Sequence, residues 1–134
     1  MRAERLDETL DILCGLWSGA PFGYQGRHYR FEPMAFRPTP IQSPRIPIWN
    51  VGGWPSEKSM QRVVRYDGLL PNKITRGQEP AAITPEDIRA MKAYVEEHRR
   101  QDTPFDIVQE GETPGEDRDR AREIVRPYAE AGAT

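Results

Sequence analysis

The stretch IPIWNVGGWPSEKSMQRVVRYDGLLP, residues 46–71, constrains this chain more than any other. Ile46, Ile48, Trp49 and Val51 form a short apolar run that opens among prolines, at Pro44 and Pro47, and is broken by Gly52-Gly53. Apolar and β-branched residues bounded in this way predict a buried strand. Ser56 then offers an N-cap and Glu57 an acidic first turn, while Met60, Val63 and Val64 give the next segment an apolar side at helical spacing. Tyr66-Asp67-Gly68 end that helix, and Leu69-Leu70 begin a second strand. Two strands joined by a helix within about 25 residues predict a right-handed βαβ unit.

The turn after the first of these strands carries the functional signal. A strand that ends in Gly-Gly just before a helix leaves backbone N–H groups uncovered by side chains. Those groups and the helix dipole attract an anion, most often a phosphate. The plain alternative is a tight turn with no ligand, because isolated glycine motifs often match falsely.

The remaining elements follow from periodicity and breakers. Leu6, Leu10, Leu13 and Trp17 make one amphipathic stripe over residues 2–17, with Arg2, Glu4, Arg5, Asp7 and Glu8 facing water. Gly15 weakens its last turn and Ser18-Gly19 stop it. Residues 18–45 read as a long irregular loop. Tyr29, Arg30 and Phe31 suggest a short hairpin strand paired near Met34 and Phe36, and the loop's aromatics argue against disorder. Lys73 and Arg76 follow the second strand, where basic groups either hold a phosphate or carboxylate or are ordinary solvated charge. Thr84, Pro85, Glu86 and Asp87 mark the start of a helix over 84–100. Phe105 to Val108 form a third strand. Residues 116–131 form a last helix with Ala121, Ile124, Val125, Tyr128 and Ala129 inward, kinked at Pro127 and stopped by Gly132. Strands alternating with helices mean a parallel sheet covered by helices.

At 134 residues the chain is sized for one domain, and 37% hydrophobic residues leave little material for a large core. A net charge of −2 gives no basis for expecting nucleic acid. The single cysteine, Cys14, excludes an internal disulfide and falls on the apolar side of its helix, as a buried thiol does. His28 and His98 have no second ligand at metal spacing and read as surface residues, so no metal is expected. No Ser-His-Asp or Cys-His set can be assembled, and the catalytic residues stay unknown. No apolar run approaches the ~18 residues of a membrane span, and MRAERLDE does not read as a signal peptide, so a soluble, cytoplasmic protein with no membrane partner is expected.

Four segments resemble the C-terminal half of the bacterial luciferase-like monooxygenases. Arg5-Leu6-Asp7-Glu8 through Leu16-Trp17 is similar to that family's R-x-x-E-x-L-x-x-L-x-x-L-W helix. Gly26 to Tyr29 and the run PTPIQSPRIPIW, residues 38–49, are similar to its G-x-x-Y and P-x-P-x-Q-x-P-x-P-I-W stretches. Val51-Gly52-Gly53 with Tyr66-Asp67-Gly68, and Tyr128 to Thr134, complete the likeness. Asn50 departs from it, standing in the strand where the family has a small or apolar residue.

The resemblance implies an α/β fold: a partial (β/α)8 TIM barrel of about three parallel strands with flanking helices, set against ~250 residues for a whole barrel. It implies an oxidoreductase, either monooxygenase or dehydrogenase, using FMN or the deazaflavin coenzyme F-420. Val51, Gly52 and Gly53 would approach the cofactor with their backbone, and Trp54 would stand near its ring or tail. A half-barrel has open sheet edges. The expected partners are therefore a homo-oligomer or a complementing N-terminal half-barrel chain. The alternative is a non-catalytic α/β module that associates through those edges.

Overall fold

The computed structural model describes residues 2–75 and 81–134. The chain divides into two compact units, Met1–Pro47 and Ile48–Thr134.

The first unit is a helix and a hairpin. Helix α1 (Arg2–Trp17) follows the leucine stripe, with Leu10 buried on it and Leu6 partly exposed. Strands β1 (Phe22–Gln25) and β2 (Arg30–Met34) pair antiparallel. Phe31 therefore pairs with Tyr24, and the expected pairing near Met34 and Phe36 is incorrect. The reason is local: Gly26-Arg27-His28-Tyr29 closes a tight turn, with the Gly26 N–H donating to the Tyr29 carbonyl at 2.9 Å. The rings of Phe22, Tyr24 and Phe31 then gather at centroid distances of 6.0 to 6.4 Å. Gly15 has a packing role as well, since a side chain there would collide with the Phe22 ring.

Helix and hairpin are joined by charge. The Glu8 carboxylate accepts the backbone N–H groups of Arg27 (2.8 Å), His28 (3.0 Å) and Tyr29 (3.0 Å). Glu4 takes the Arg27 guanidinium and His28 Nε2, each at 3.1 Å. His28 is thus no free surface histidine; its side chain is 13% exposed. Burial by itself raises the Glu8 pKa, but the three backbone donors outweigh it and hold the carboxyl below its usual range.

In the second unit, β3 (Trp49–Trp54), β4 (Gly68–Lys73) and β5 (Asp106–Ile107) form a parallel sheet in that order. Helices α2 (Glu57–Val63), α3 (Pro85–His98) and α4 (Arg118–Ala131) connect or follow the strands. The expected α/β alternation is present, and among the described residues the sheet is open. Its core holds Met60 and Val63 from α2, Leu69 from β4, Ile88 and Met91 from α3 and Ile107 from β5.

The helix ends show which sequence signals act. Thr84 and Asp87 form a reciprocal capping box ahead of Pro85. Ser56 occupies the N-cap of α2, but its side chain makes no capping bond. Helix α4 runs through Pro127 and ends at Gly132, whose φ of 107° is left-handed. Its face departs from expectation: Val125 and Ala129 are exposed, while Ala131 is buried and the Tyr128 hydroxyl donates to the Ile83 carbonyl at 3.1 Å. Pairing that hydroxyl inside the unit sets the rotation of the helix and turns positions 125 and 129 outward. No described helix is long and apolar enough to cross a membrane.

Glu8→Ala is expected to speed amide hydrogen exchange at Arg27, His28 and Tyr29 by about tenfold or more, as read by NMR, because all three donors lose one acceptor. Because the folded Glu8 pKa is depressed, its contribution is present above the ordinary carboxylate pKa of 4.5 and lost as pH falls through the lower folded value. The wild-type amides therefore lose protection over that window, whereas the variant does not.

Candidate functional site

In an open parallel sheet, ligands bind at the carboxyl ends of the strands. Here those ends are Gly53-Trp54, Asn72-Lys73 and the residues just after Ile107. The strand β3 alternates. Asp67 N–H donates to the Ile48 carbonyl and Ile74 N–H to that of Trp54, so even-numbered residues of β3 bond to β4. The backbone groups of Trp49 and Val51 then point to the open edge. Side chains alternate too: Asn50 and Gly52 are buried, whereas Trp49 and Val51 are 46% and 59% exposed.

Val51 is the sequence-predicted residue that reaches open space. With Leu70, Lys73, Val108 and Gln109 it lines a cavity of about 360 Å³ over the carboxyl ends of β4 and β5. Gly52 does not reach that space. Its missing side chain points into the core, where a Cβ would collide with Leu69 Cδ1 and stand 3.1 Å from Val63 Cγ2 and 3.2 Å from Met60 Sδ. Gly53 is partly covered and its polar groups are used: its N–H donates to Ser59 Oγ and its carbonyl accepts from the Ser56 N–H, both at 2.8 Å. Trp54 packs edge-on against Tyr94, ring centroids 6.3 Å apart. The Tyr94 hydroxyl in turn donates to Glu57 at 2.8 Å, and burial together with that carboxylate pushes the phenol up to about 12.

Lys73 lines the cavity, but its ammonium is engaged at 2.7 Å by Asp87, the partner of Thr84 in the capping box of α3. Asp87 also accepts from the Thr84 N–H at 2.9 Å and the Thr84 hydroxyl at 3.0 Å. Burial raises the Asp87 pKa; Lys73 and Thr84 together overcome that and hold the carboxyl below its usual range. Arg76 lies outside the described residues.

Asp67, read from the sequence as a structural residue turning the chain into β4, ties the start of the sheet together, its carboxylate accepting the Ile48 N–H at 2.8 Å and its carbonyl the Asp106 N–H at 3.1 Å. One feature escaped sequence reasoning. Gln109 stands directly after β5 and borders the cavity; an isolated glutamine in a glycine- and proline-rich loop gives no pattern by which to find it. Among the described residues, no group of three or more His, Cys, Asp or Glu could hold a metal ion.

A family model described as luciferase-like monooxygenase matches residues 1–133. No curated protein matches the chain.

Gly52→Ala should destabilise the second unit by about 1–3 kcal/mol in urea unfolding, because the added methyl meets Leu69 in a filled core. Gly53→Ala should cost less, since its Cβ would meet chiefly the movable tip of Ile74 at 2.7 Å. Asp87→Ala should cost about 1 kcal/mol at neutral pH through the lost cap. It should also flatten the acid limb of unfolding. The depressed folded pKa of Asp87 gives stability that is present above the ordinary value of 3.8 and lost as pH falls below it.

Proposed function

The chain belongs to the luciferase-like monooxygenase family, and from that premise we propose that it forms part of a flavin-type oxidoreductase, its cofactor FMN or the deazaflavin coenzyme F-420, within a (β/α)8 barrel of which it contributes three strands. When bound, such a ring supplies hydride transfer and, for a flavin, oxygen insertion; the protein supplies position and electrostatics.

The observation that carries the reading is the apolar floor at the strand ends, where Val51, Leu70 and Val108 face one cavity on the side of the sheet away from the helices. These residues fit one face of a planar ring. They do not fit a phosphate cradle, because the Gly53 N–H is held by Ser59 and the Lys73 ammonium by Asp87. In this reading the ring lies over Val51, and the backbone of Gly52 and Gly53 brings that strand end close. Trp54, braced by Tyr94, stiffens the turn behind it. The anionic tail is held by groups other than those of this turn.

The open edge of β3 favours a second reading, a non-catalytic module that takes a strand from another chain. The backbone groups of Trp49 and Val51, which meet no strand among the described residues, are a template for such pairing. A second copy of this chain or a complementing half-barrel chain would serve.

Fluorescence titration with FMN and with F-420 separates the readings. The flavin-type reading expects saturable binding of one cofactor, by the chain alone or with an N-terminal half-barrel chain added. Val51→Asp should then weaken binding by about tenfold or more by setting a charge against the ring. Binding of neither cofactor under both conditions, together with a dimer by light scattering, would leave the module reading in its place.

A further inference from the structure

Three rings run in contact from the end of β3 to the surface of α3. Trp54 is the last residue of β3, and its ring meets that of Tyr94 edge-on, centroids 6.3 Å apart. His98, one helical turn after Tyr94, stacks on the phenol at 4.0 Å with the two planes 11° apart. Its Nδ1–H donates to the Tyr94 carbonyl at 2.9 Å, which holds the imidazole in place over that ring. Trp54 and Tyr94 are half-buried and His98 is exposed.

The Tyr94 hydroxyl has a base at hand. It donates to Glu57 Oε1 at 2.8 Å, and Gln61 Nε2 donates to the same oxygen at 3.1 Å. A phenol that loses an electron becomes a strong acid, so it gives up the electron readily only where a base stands ready for the proton. Burial and the Glu57 carboxylate push the Tyr94 phenol up to about 12, so the proton stays on its oxygen until an electron leaves. Tyr128 shows the contrast. Its hydroxyl donates to the Ile83 carbonyl at 3.1 Å, and an amide carbonyl accepts a hydrogen bond without taking the proton at neutral pH.

We propose that Trp54 and Tyr94 form a redox relay, with Glu57 as its proton acceptor, which moves a one-electron oxidation from the end of β3 to the surface of α3. The oxidant is of the peroxyl-radical class. It takes one electron from the Trp54 indole and, with a proton from water, leaves as the hydroperoxide. The indole radical cation takes one electron from Tyr94, and the phenolic proton passes to Glu57. Trp54 thus ends as it began, Tyr94 is a neutral phenoxyl radical, and Glu57 is a carboxylic acid that returns its proton to water. A small reductant of the thiol or ascorbate class then gives Tyr94 back its hydrogen atom. The relay goes beyond the ring-cofactor reading and does not depend on it.

The test is pulse radiolysis of the full chain without cofactor, using azide radicals, which take electrons preferentially from tryptophan. Transient absorption follows the indolyl radical and the phenoxyl radical that replaces it. The wild type should show a fast first-order conversion whose rate is independent of protein concentration. Of the three tryptophans, Trp17, Trp49 and Trp54, only Trp54 should feed this phase. Trp54→Phe and Tyr94→Phe should each abolish it, and Tyr128→Phe should keep it. Glu57→Gln preserves the acceptor oxygen but takes no proton, and should slow the conversion by about tenfold or more. Glu57 is exposed, so that variant keeps the fold and decides the outcome even where Tyr94→Phe does not fold. No fast conversion in the wild type overturns the proposal. So does a fast phase that survives Trp54→Phe or Tyr94→Phe, or an unchanged rate in Glu57→Gln. Because no flavin is added, these outcomes leave the ring-cofactor reading to its own titration.

Discussion

A missing side chain at position 52 sets how closely α2 packs against β3 and β4. Leu69, from the neighbouring parallel strand, projects its Cδ1 into the volume that a Cβ on Gly52 would occupy, and Met60 and Val63 of α2 close over the same spot. All three of these side chains are fully enclosed. The glycine lets helix and sheet approach until one leucine fills the gap, and that close approach carries α2 across the strand ends. The same contact governs the site. Once Gly52 faces inward, strand alternation forces Val51 outward, onto the face where Leu70 and Val108 also stand.

Charges in both units serve architecture before recognition. Glu8 holds a hairpin turn by three backbone donors, and Asp87 combines a helix cap with a clamp on Lys73. Lys73 is thereby drawn towards the N-terminus of α3. An anion arriving at the strand ends must compete with a carboxylate already 2.7 Å from that ammonium. Lys73 reads as a free basic group in the sequence but is committed to Asp87 once the chain folds.

Much of the fold was legible because its signals are local. The leucine stripe of α1, the Thr84-Pro85-Glu86-Asp87 start of α3, the Gly132 stop and the strand–helix–strand order around Gly52 each act within a few residues. What was not legible depends on contacts between distant residues. Ser56 reads as a capping side chain, yet Ser59 proves the useful hydroxyl, reaching back to Gly53. Phe31 pairs with Tyr24 instead of a later residue because the 26–29 turn, gripped by Glu8 some 20 positions away, fixes the register. Val125 and Ala129 follow the helical period of α4 but are turned outward by the anchor from Tyr128 to Ile83. At the site, the glycine pair was visible, but its direction was not; only the position of Leu69 shows that one glycine serves the core.

The sheet's two outer edges differ in a way that bears on function. Beside β5, the N–H of Thr134 donates to the Ile107 carbonyl at 2.9 Å while Ile107 N–H donates to Thr134 Oγ1 at 3.1 Å, so that edge is occupied at this point. Beside β3, the backbone groups of Trp49 and Val51 meet no strand among the described residues. Both side chains there are large, apolar and about half exposed. An edge of that composition is a liability in a free protein and a ready joint in an assembled one. Val51 stands at this edge and also lines the cavity over the carboxyl ends of β4 and β5. A parallel strand laid beside β3 would bring its own carboxyl end to the same rim, whereas an antiparallel one would bring its amino end. In the parallel case the two strands would share the rim, with Val51 at both the joint and the cavity.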